Sequence, residues 1–323
     1  MEKTDLRIVY MGTPEFAVES LKCLVEGGYN VVGVITMPDK PVGRHGSVLQ
    51  PSPVKEYAVS QGLKVLQPEK LKDEHFLEEL RSLHADLQIV VAFRMLPEVV
   101  WQMPRLGTFN LHASLLPQYR GAAPINWAVI NGETETGITT FFLKHEIDTG
   151  EIIDQVRVPI ADTDNVGMVY DRLMRLGGNL VLKTVDAILN NSVKTVPQEK
   201  LAEGTVLHPA PKIFKETCRI DWTKGVKAVY DFIRGLSPYP AAWTELCEPD
   251  ALPVTLKIYE TTKEFASHSL VPGTIVTDRK SYFKVATTDG YLHLLSLQLA
   301  GKKRMDVSDF LRGYRHTDAA TVR

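Results

Sequence analysis

The stretch Leu6-Arg7-Ile8-Val9-Tyr10-Met11-Gly12-Thr13-Pro14 decides the fold at the start of the chain. Its apolar run is typical of a buried parallel strand, and Gly12 then turns the chain. Thr13 is predicted to cap a helix whose first residue is Pro14, where a missing N–H costs nothing. Apolar residues at spacings of three and four continue this helix until Gly27-Gly28 ends it. The pattern predicts a β-strand followed at once by an α-helix.

The next hundred residues repeat this alternation of strand and helix. Strands are predicted over residues 31–36, 87–92 and 108–112. An amphipathic helix is predicted over 69–83, and a long loop rich in Pro and Gly over 38–53. This order is typical of a doubly wound α/β sheet, in which ligands bind at the carboxyl ends of the strands.

The following segments extend the same domain. Residues 137–143 and 152–158 alternate in polarity, and we expect them to add antiparallel strands to the sheet. Residues 166–189 have helical periodicity that Gly177-Gly178 is predicted to break. The sequence therefore predicts a Rossmann-like α/β domain with a mixed sheet over residues 1–189.

The last third of the chain has a different pattern. Residues 190–207 are polar and are predicted to be a linker. Beyond it, one helix is predicted over 226–236, followed by several short strand-like pieces with turn signals between them. Such a series predicts a small OB-like β-barrel as a C-terminal domain over residues 208–323.

Composition limits the class of protein. Of the 323 residues, 44% are hydrophobic and 24% are charged, and the three cysteines are too few and too scattered for a disulfide framework. No apolar run is long enough to cross a bilayer and the N-terminus has no secretory signal pattern, so we expect a cytoplasmic protein without membrane contact. Nothing in the sequence demands a dimer, and we expect a monomer.

Charge is distributed unevenly along the chain. The net charge is −2, yet from His208 onward there are 17 Lys or Arg against 13 Asp or Glu. The chain lacks both G-x-G-x-x-G and G-x-x-x-x-G-K-[ST], the spacings for a dinucleotide and for the phosphates of ATP. The missing motifs argue against a dinucleotide cofactor and against ATP binding. The uneven charge suggests a basic C-terminal part that could meet a phosphate backbone.

Two polar residues end one of the predicted strands. Asn110 and His112 are two positions apart, so their side chains leave the same face of the strand. An amide and an imidazole at the carboxyl edge of an open sheet could together surround a developing oxyanion. Most isolated Asn/His pairs are structural, however, so a strand cap and the start of a turn remain the other interpretation.

A carboxylate follows in Ile147-Asp148-Thr149-Gly150, a turn between two predicted strands. Asp-Thr-Gly is an ordinary turn sequence, in which the Asp side chain can simply bond its own backbone. If Asp148 instead folded back beside His112, it would fix the tautomer and orientation of the imidazole.

Taken together, these motifs resemble the folate-dependent formyltransferases. The segment from Asn110 to Gly121, with Asp148-Thr149-Gly150 after it, matches the family residue by residue. The resemblance implies that Asn110, His112 and Asp148 are catalytic and that no metal takes part.

The resemblance also implies that 10-formyltetrahydrofolate is the co-substrate. It would contact the loop after the histidine and the segment after the third strand. The expected contacts are Ser114, Leu115, Leu116, Pro117, Phe93, Met95 and Leu96. Where the family usually has Ala-Tyr-Gly-x-Ile-Leu-Pro, this chain has Ala92-Phe93-Arg94-Met95-Leu96-Pro97, one residue shorter.

The acceptor implied by the resemblance is the amine of methionine on initiator methionyl-tRNA. The long loop with Lys40 and Arg44 resembles the loop with which family members hold the acceptor stem, and the C-terminal domain resembles their tRNA-binding domain. Lys302, Lys303 and Arg304 are the expected phosphate contacts there, although a solvated turn explains them equally well. Three alternatives stay open: a sugar-nucleotide N-formyltransferase with the same donor, a hydrolase that releases formate from that donor, and a nucleic-acid binder without catalysis.

Overall fold

The computed structural model describes residues 1–315 and 317–323. Within them the chain groups into two compact units, each described here by itself. The first unit comprises Met1–Gly121, Thr136–Val158 and Tyr170–Pro209. The second unit comprises Ala122–Glu135, Pro159–Val169 and Ala210–Arg323.

The first unit is built on a mixed seven-stranded sheet of order β5-β2-β1-β6-β7-β8-β9. The strands of the first half of the chain are β1 (Arg7–Gly12), β2 (Asn30–Ile35), β3 (Lys40–Val42), β4 (Val48–Gln50), β5 (Val65–Leu66), β6 (Leu87–Val91), β7 (Thr108–His112), β8 (Glu135–Phe142) and β9 (Ile152–Pro159). Strand β1 pairs in parallel with β2 and β6, and β6 pairs in parallel with β7. Strand β8 joins β7 antiparallel, which confirms the predicted mixed sheet.

Seven α-helices occur between residues 1 and 202. They are α1 (Glu15–Glu26), α2 (Pro53–Ser60), α3 (Glu74–Ser82), α4 (Glu98–Trp101), α5 (Pro124–Ile130), α6 (Val166–Leu189) and α7 (Gln198–Ala202). Helix α3 buries Phe76, Leu77 and Leu80 in a core that also contains Val9 and Val90 of the sheet. Burial of such side chains stabilises the layer by about 1.5–3 kcal/mol each.

The predicted start of helix α1 was wrong. Pro14 is the cap residue and not the first helical residue, because its ψ of 174° is extended. The hydroxyl of Thr13 does not cap the helix; instead it accepts a hydrogen bond from the backbone N–H of Met37 at 3.4 Å. Thr13 thus joins the end of β1 to the segment that follows β2.

Helix α3 also begins later than predicted, at Glu74. The carboxylate of Asp73 accepts a hydrogen bond from the N–H of Phe76 at 3.1 Å, which is the interaction of an N-cap. Residues 69–72 therefore precede the helix, although their polarity pattern resembles its first turn.

Helix α6 is continuous where a break at Gly177-Gly178 was predicted. A Cβ at Gly177 would lie 2.8 Å from Leu111 Cδ2, and one at Gly178 would lie 2.7 Å from Cys23 Sγ. The glycines therefore allow α6 to pack closely against β7 and α1.

The loop over 38–53 has structure of its own. Strands β3 and β4 pair antiparallel as an isolated hairpin, with a 3₁₀ turn at Arg44–Gly46 between them. Helix α2 follows at once, capped by the hydroxyl of Ser52, which accepts from the N–H of Lys55 at 3.0 Å. The predicted linker over 190–207 likewise contains the short helix α7.

The second unit is dominated by an antiparallel sheet of order β12-β13-β14-β11-β10-β16, to which β15 is added beside β14. Its strands are β10 (Ala242–Cys247), β11 (Val254–Phe265), β12 (Ile275–Thr277), β13 (Phe283–Ala286), β14 (Gly290–Leu299), β15 (Met305–Asp306) and β16 (Thr321–Val322). Thr274, next to β12, bridges to Thr321 of β16, so the two edges of the sheet meet. The sheet is a nearly closed barrel, as predicted.

Helices α8 (Val226–Arg234) and α9 (Val307–Gly313) lie in the same part of the chain as the barrel strands, and α5 also belongs to the second unit. Helix α8 contributes Val226, Val229 and Ile233 to a core that includes the strand residues Leu256 and Phe283. The alternating burial of β14 follows from one face packing on this core and the other facing outward. Across residues 1–315 and 317–323, no helix has the length and apolar character that crossing a membrane requires.

Candidate active site

The parallel strands of the first unit bring three segments to one edge of the sheet. Gly12 at the end of β1 pairs with Val91 at the end of β6, and Val91 pairs with Leu111 of β7. The turn after β1, the segment after β6 and His112 therefore lie side by side. This carboxyl edge is where ligands bind in open α/β sheets.

The His112 side chain is buried, with only 7% of its surface exposed. Its Nε2 lies 2.9 Å from the backbone carbonyl of Tyr119, a hydrogen-bond distance. Its Nδ1 lies 3.8 Å from Asp148 Oδ2, which is within ion-pair range but too long for a hydrogen bond. Both ring nitrogens thus face oxygen atoms of hydrogen-bond acceptor groups.

Asp148 lies in the turn between β8 and β9, with a left-handed backbone at φ 55°. Its Oδ2 accepts a hydrogen bond from the backbone N–H of Gly121 at 3.0 Å. The carboxylate is therefore held toward His112 and away from its own turn backbone. The structure brings these two predicted residues together from sequence positions that are far apart.

Asn110 lies on β7 two residues before His112, on the same face of the strand by the alternation of side chains. It is half-buried and lies opposite Phe141 of the antiparallel neighbour β8. The amide, the imidazole and the carboxylate thus belong to one sheet edge, an arrangement that can stabilise negative charge on an oxygen bound there.

The loop after His112 is tightly bonded within itself. The hydroxyl of Ser114 donates to the carbonyl of Gln118 at 2.7 Å, and Ser114 is fully buried. Leu116 and Pro117 are buried too, whereas Leu115 is half-buried. Because the Ser114 hydroxyl donates within the loop, it is not available to donate to a bound molecule.

The segment after β6 lines a cleft of about 970 Å³. Met95 is 71% exposed and lines the cleft together with Leu96, while Phe93 is half-buried and packs on the core beneath it. Lys70, Lys72 and Glu98 line the same cleft. The cleft therefore combines apolar surface with charged groups of both signs.

Arg94 also lines this cleft, but its guanidinium binds the protein. It donates to the carbonyl of Glu69 at 2.8 Å and to the carbonyl of Pro68. Burial lowers the pKa of this guanidinium. Arg94 thus fastens the segment before α3 to the segment after β6, and so fixes the shape of the cleft.

The predicted basic residues of the first unit lie on the hairpin. Lys40 is on β3 and Arg44 is in the turn between the strands, and both are exposed. At the base of the hairpin Asp39 accepts hydrogen bonds from Lys55 at 2.8 Å and from Gln67 at 2.7 Å, and these bonds lower the pKa of Asp39. The hairpin is thus anchored at its base and presents a positive charge at its tip.

The predicted basic residues of the second unit differ among themselves. Lys302 and Lys303 are exposed in the turn after β14. Arg304 donates to Ser296 Oγ at 2.8 Å and to Glu260 at 3.1 Å. These two bonds hold the Arg304 guanidinium on the barrel. The side chains of Lys302 and Lys303 are therefore less constrained than that of Arg304.

Sequence reasoning missed four groups that hold the site. They are the carbonyl of Tyr119, the N–H of Gly121, and the side chains of Arg120 and Gln198. The first three lie inside the segment from Asn110 to Gly121, so their closeness to His112 in the sequence was a signal that could have identified them. Gln198 lies in a polar segment without any pattern, and nothing in the sequence marks it.

Comparison with known proteins identifies the family. The family described as formyl transferase matches residues 6–185, and its C-terminal domain matches residues 212–315. A protein of Phocaeicola vulgatus named methionyl-tRNA formyltransferase is 81% identical over 319 residues, covering 98% of this chain and 98% of its own. A protein of Porphyromonas gingivalis with the same name is 51% identical over 316 residues, covering 97% of each chain.

Solved structures share the fold. An N-formyltransferase from Helicobacter canadensis, in complex with folinic acid and dTDP-3-aminofucose, superposes with a TM-score of 0.66 at 21% identity, covering 93% of this chain and 100% of its own. At this identity the likeness shows the fold alone. The match of both domains and the identity to full-length relatives show that the chain belongs to the formyl transferase family of enzymes.

Proposed function

We propose that the chain transfers the formyl group of 10-formyltetrahydrofolate to the α-amine of methionine on initiator methionyl-tRNA. The observation that carries the proposal is the approach of Asp148 to His112 at the carboxyl edge of the sheet, 3.8 Å apart, beside Asn110. The acceptor is supported by the full-length similarity to enzymes named methionyl-tRNA formyltransferase. The reaction would take place in the cytoplasm and supply translation initiation.

Asn110 and His112 are the proposed donors to the formyl oxygen. As the amine attacks the formyl carbon, negative charge develops on that oxygen, and donors placed before the reaction stabilise it. The Nε2 of His112 lies 2.9 Å from the Tyr119 carbonyl, so the formyl oxygen would compete with this carbonyl for the ring proton. Hydrogen bonds of this kind often tighten only when substrate is bound.

Asp148 is the proposed supporting carboxylate. It faces the His112 Nδ1, and a negative charge there stabilises the positive charge that the ring carries when it donates to the oxyanion. A water held beside the carboxylate could carry the proton of the attacking amine toward the leaving nitrogen. The amine attacks directly, without a covalent enzyme intermediate.

The donor would lie in the cleft after β6. Met95 and Leu96, which line the cleft, and Phe93 beneath them are the proposed apolar contacts of its ring system. The loop Ser114-Leu115-Leu116-Pro117 after His112 is the proposed second contact. The donor supplies the formyl carbon on its N10 nitrogen. The chain's own part is to orient that carbon toward the edge of β7 and to exclude water from it.

The tRNA would be bound through phosphate contacts. Lys40 and Arg44 on the hairpin, and Lys302 and Lys303 on the barrel, are exposed cations suited to this, with Arg304 as a further contact. We assign the acceptor-stem contact to the hairpin and a second contact to the domain over residues 208–323. Such binding weakens as salt rises, because it releases counterions from the nucleic acid.

The test is transfer of labelled formyl from 10-formyltetrahydrofolate by the full chain. Three acceptors are compared at equal concentration: charged initiator tRNA, charged elongator methionyl-tRNA and a dTDP-amino sugar. We expect rapid transfer to the initiator tRNA and slow or undetectable transfer to the other two. Faster transfer to the sugar nucleotide would contradict the proposed acceptor, and release of free formate without transfer would show a hydrolase.

A further inference from the structure

Residues 198–208, termed here the clasp segment, are bonded to the loop that follows His112. Gln118 donates to the carbonyl of Val206 at 2.7 Å and accepts from the N–H of His208 at 2.9 Å. The N–H of Tyr119 donates to the His208 carbonyl at 2.7 Å. The carbonyl of Tyr119 faces the His112 ring. Tyr119 therefore links the clasp segment to His112.

Gln198, the first residue of the clasp segment, makes four hydrogen bonds through its side chain. Its side chain is fully buried. Its Nε2 donates to the carbonyl of Asp148 at 2.7 Å and to the carbonyl of Gly150 at 2.8 Å. Its Oε1 accepts from Arg120 Nε at 3.1 Å and from the terminal nitrogen of that guanidinium at 2.7 Å.

The chemistry of the neighbours fixes the orientation of this amide. Arg120 has only donors, so it must face the amide oxygen, and the two carbonyls have only acceptors, so they must face the amide nitrogen. All four polar contacts of the Gln198 side chain are therefore satisfied in one orientation. A flipped amide would leave these four polar groups without a matching partner.

The turn that these bonds hold is the one that presents Asp148. Asp148 has a left-handed backbone, which an L residue adopts at a cost, and the two carbonyls on either side of Thr149 are fixed by one amide group. The carboxylate itself accepts a hydrogen bond from the N–H of Gly121. The direction in which Asp148 points thus depends on where Gln198 places its backbone.

We propose that Gln198 is a positioning residue for formyl transfer: its amide bridges Arg120 of the loop after His112 to the backbone of the Asp148 turn. The proposal rests on the proposed function of Asp148. It gives Gln198 a supporting role for the site, although this residue lies in a segment that the sequence predicts to be a linker.

The experiment uses the full chain with Gln198→Glu. The carboxylate of this variant still accepts from Arg120, but its other oxygen faces two carbonyl oxygens without a proton between them. We expect the turn to move and kcat for formyl transfer to fall by about 10- to 100-fold, the effect of a misplacement of about 1 Å. The KM values for donor and for tRNA should stay within about twofold, because no substrate contact is changed.

A double-mutant cycle with Asp148→Asn separates positioning from general damage. If Gln198 acts through Asp148, the effect of Gln198→Glu on kcat should largely vanish once Asp148 is already Asn. The matched control is Glu199→Gln, an exposed neighbour on α7, which should leave kcat and the melting temperature unchanged. Gln198→Met, of similar volume and without polar atoms, should lower kcat as well.

Specific outcomes would overturn the inference. A kcat of Gln198→Glu within about twofold of the wild type, or an undiminished effect in the Asp148→Asn background, rejects the positioning role. Failure of both Gln198 variants to fold also rejects it, because the network would then be structural only. A wild-type kcat for Asp148→Asn alone would instead reject the proposed function of Asp148, which makes the two failures distinguishable.

Discussion

One glycine makes the Asp148 turn possible. A Cβ on Gly150 would lie 1.5 Å from the backbone carbonyl oxygen of Phe142, far inside contact distance. This carbonyl belongs to β8 and cannot rotate away as a side chain could. Gly150 also supplies one of the two carbonyls that Gln198 holds. The residue that makes the turn tight therefore lies two positions from Asp148.

We expect Gly150→Ala to move the turn and to lower both stability and activity. The free energy of unfolding should fall by about 1–3 kcal/mol, the range for an overpacked interior, because backbone and not side chain must yield. Urea denaturation measures this loss, and single-turnover formyl transfer measures the accompanying loss of rate.

Gly313→Ala is the matched control for this substitution. Gly313 ends α9 and a Cβ there would meet nothing within 4 Å, so stability should be unchanged or slightly increased. Equal stability of the wild type and Gly150→Ala would show that the turn is not constrained as described.

At the level of whole elements, Asp86 joins three strands of the first unit. It precedes β6 and its carboxylate accepts from the N–H of Arg7, at the start of β1, at 2.9 Å. It also accepts from the Nε of Arg105, which precedes β7, at 2.7 Å. Burial acts to raise the pKa of Asp86, but these two partners outweigh it and the pKa is lowered. The charge of Asp86 therefore stabilises the register of the strands that present the site.

Asp86→Asn should lower stability in a pH-dependent way. A carboxyl whose pKa is lower in the folded state stabilises the fold above its ordinary pKa, and this contribution is lost as pH falls through the lowered value. The variant should therefore be less stable than the wild type by about 1–3 kcal/mol at neutral pH, and the difference should shrink in acid.

Chemical denaturation at neutral and acidic pH measures this difference. Glu203→Gln, at an exposed position, is the control and should show no such dependence. A difference that stayed constant down to strongly acidic pH would contradict the assigned role of the charge.

Elements with a strong local pattern were predictable, and those set by distant contacts were not. The largely apolar run of β6 and the bounds of β7 follow from sequence because a buried central strand is recognisable from its own residues. The continuity of α6 does not, because Gly177 and Gly178 break helices on their own and are kept here by packing against Leu111 and Cys23. The β3–β4 hairpin could not be predicted, because its strand residues are all exposed and show no alternation of buried and exposed positions.

Over the whole molecule, only those residues of the candidate site that lie in short sequence motifs could be predicted. Asn110 and His112 lie in one motif and Asp148 in a turn of common type, so resemblance to a family could group them. The bond between Gln198 and the Asp148 turn spans 50 positions, and that between Gln198 and Arg120 spans 78. Such contacts leave no trace in local pattern, because only the fold brings their partners together.

The distribution of charge over the molecule predicts how binding depends on salt. The double charge reversal Lys302→Glu with Lys303→Glu should weaken tRNA binding and reduce the slope of log affinity against log salt by about two, or about one for each phosphate that a lysine no longer neutralises. Filter binding over a salt series measures the slope.

A control with the same change in net charge is needed for this comparison. Lys22→Glu with Lys194→Glu, both at exposed positions of the first unit, alters the total charge equally. This control should keep the slope of the wild type. If the slope of Lys302→Glu with Lys303→Glu also stayed at the wild-type value, these lysines would not contact phosphate.

The most direct test is the single-turnover rate of formyl transfer to initiator methionyl-tRNA by Asp148→Asn. This variant keeps the size of the side chain and can still accept from Gly121, but it removes the charge beside His112. The account predicts a rate lower than the wild type by about 10²- to 10³-fold, with unchanged affinity for donor and tRNA. A rate within about twofold of the wild type would contradict it.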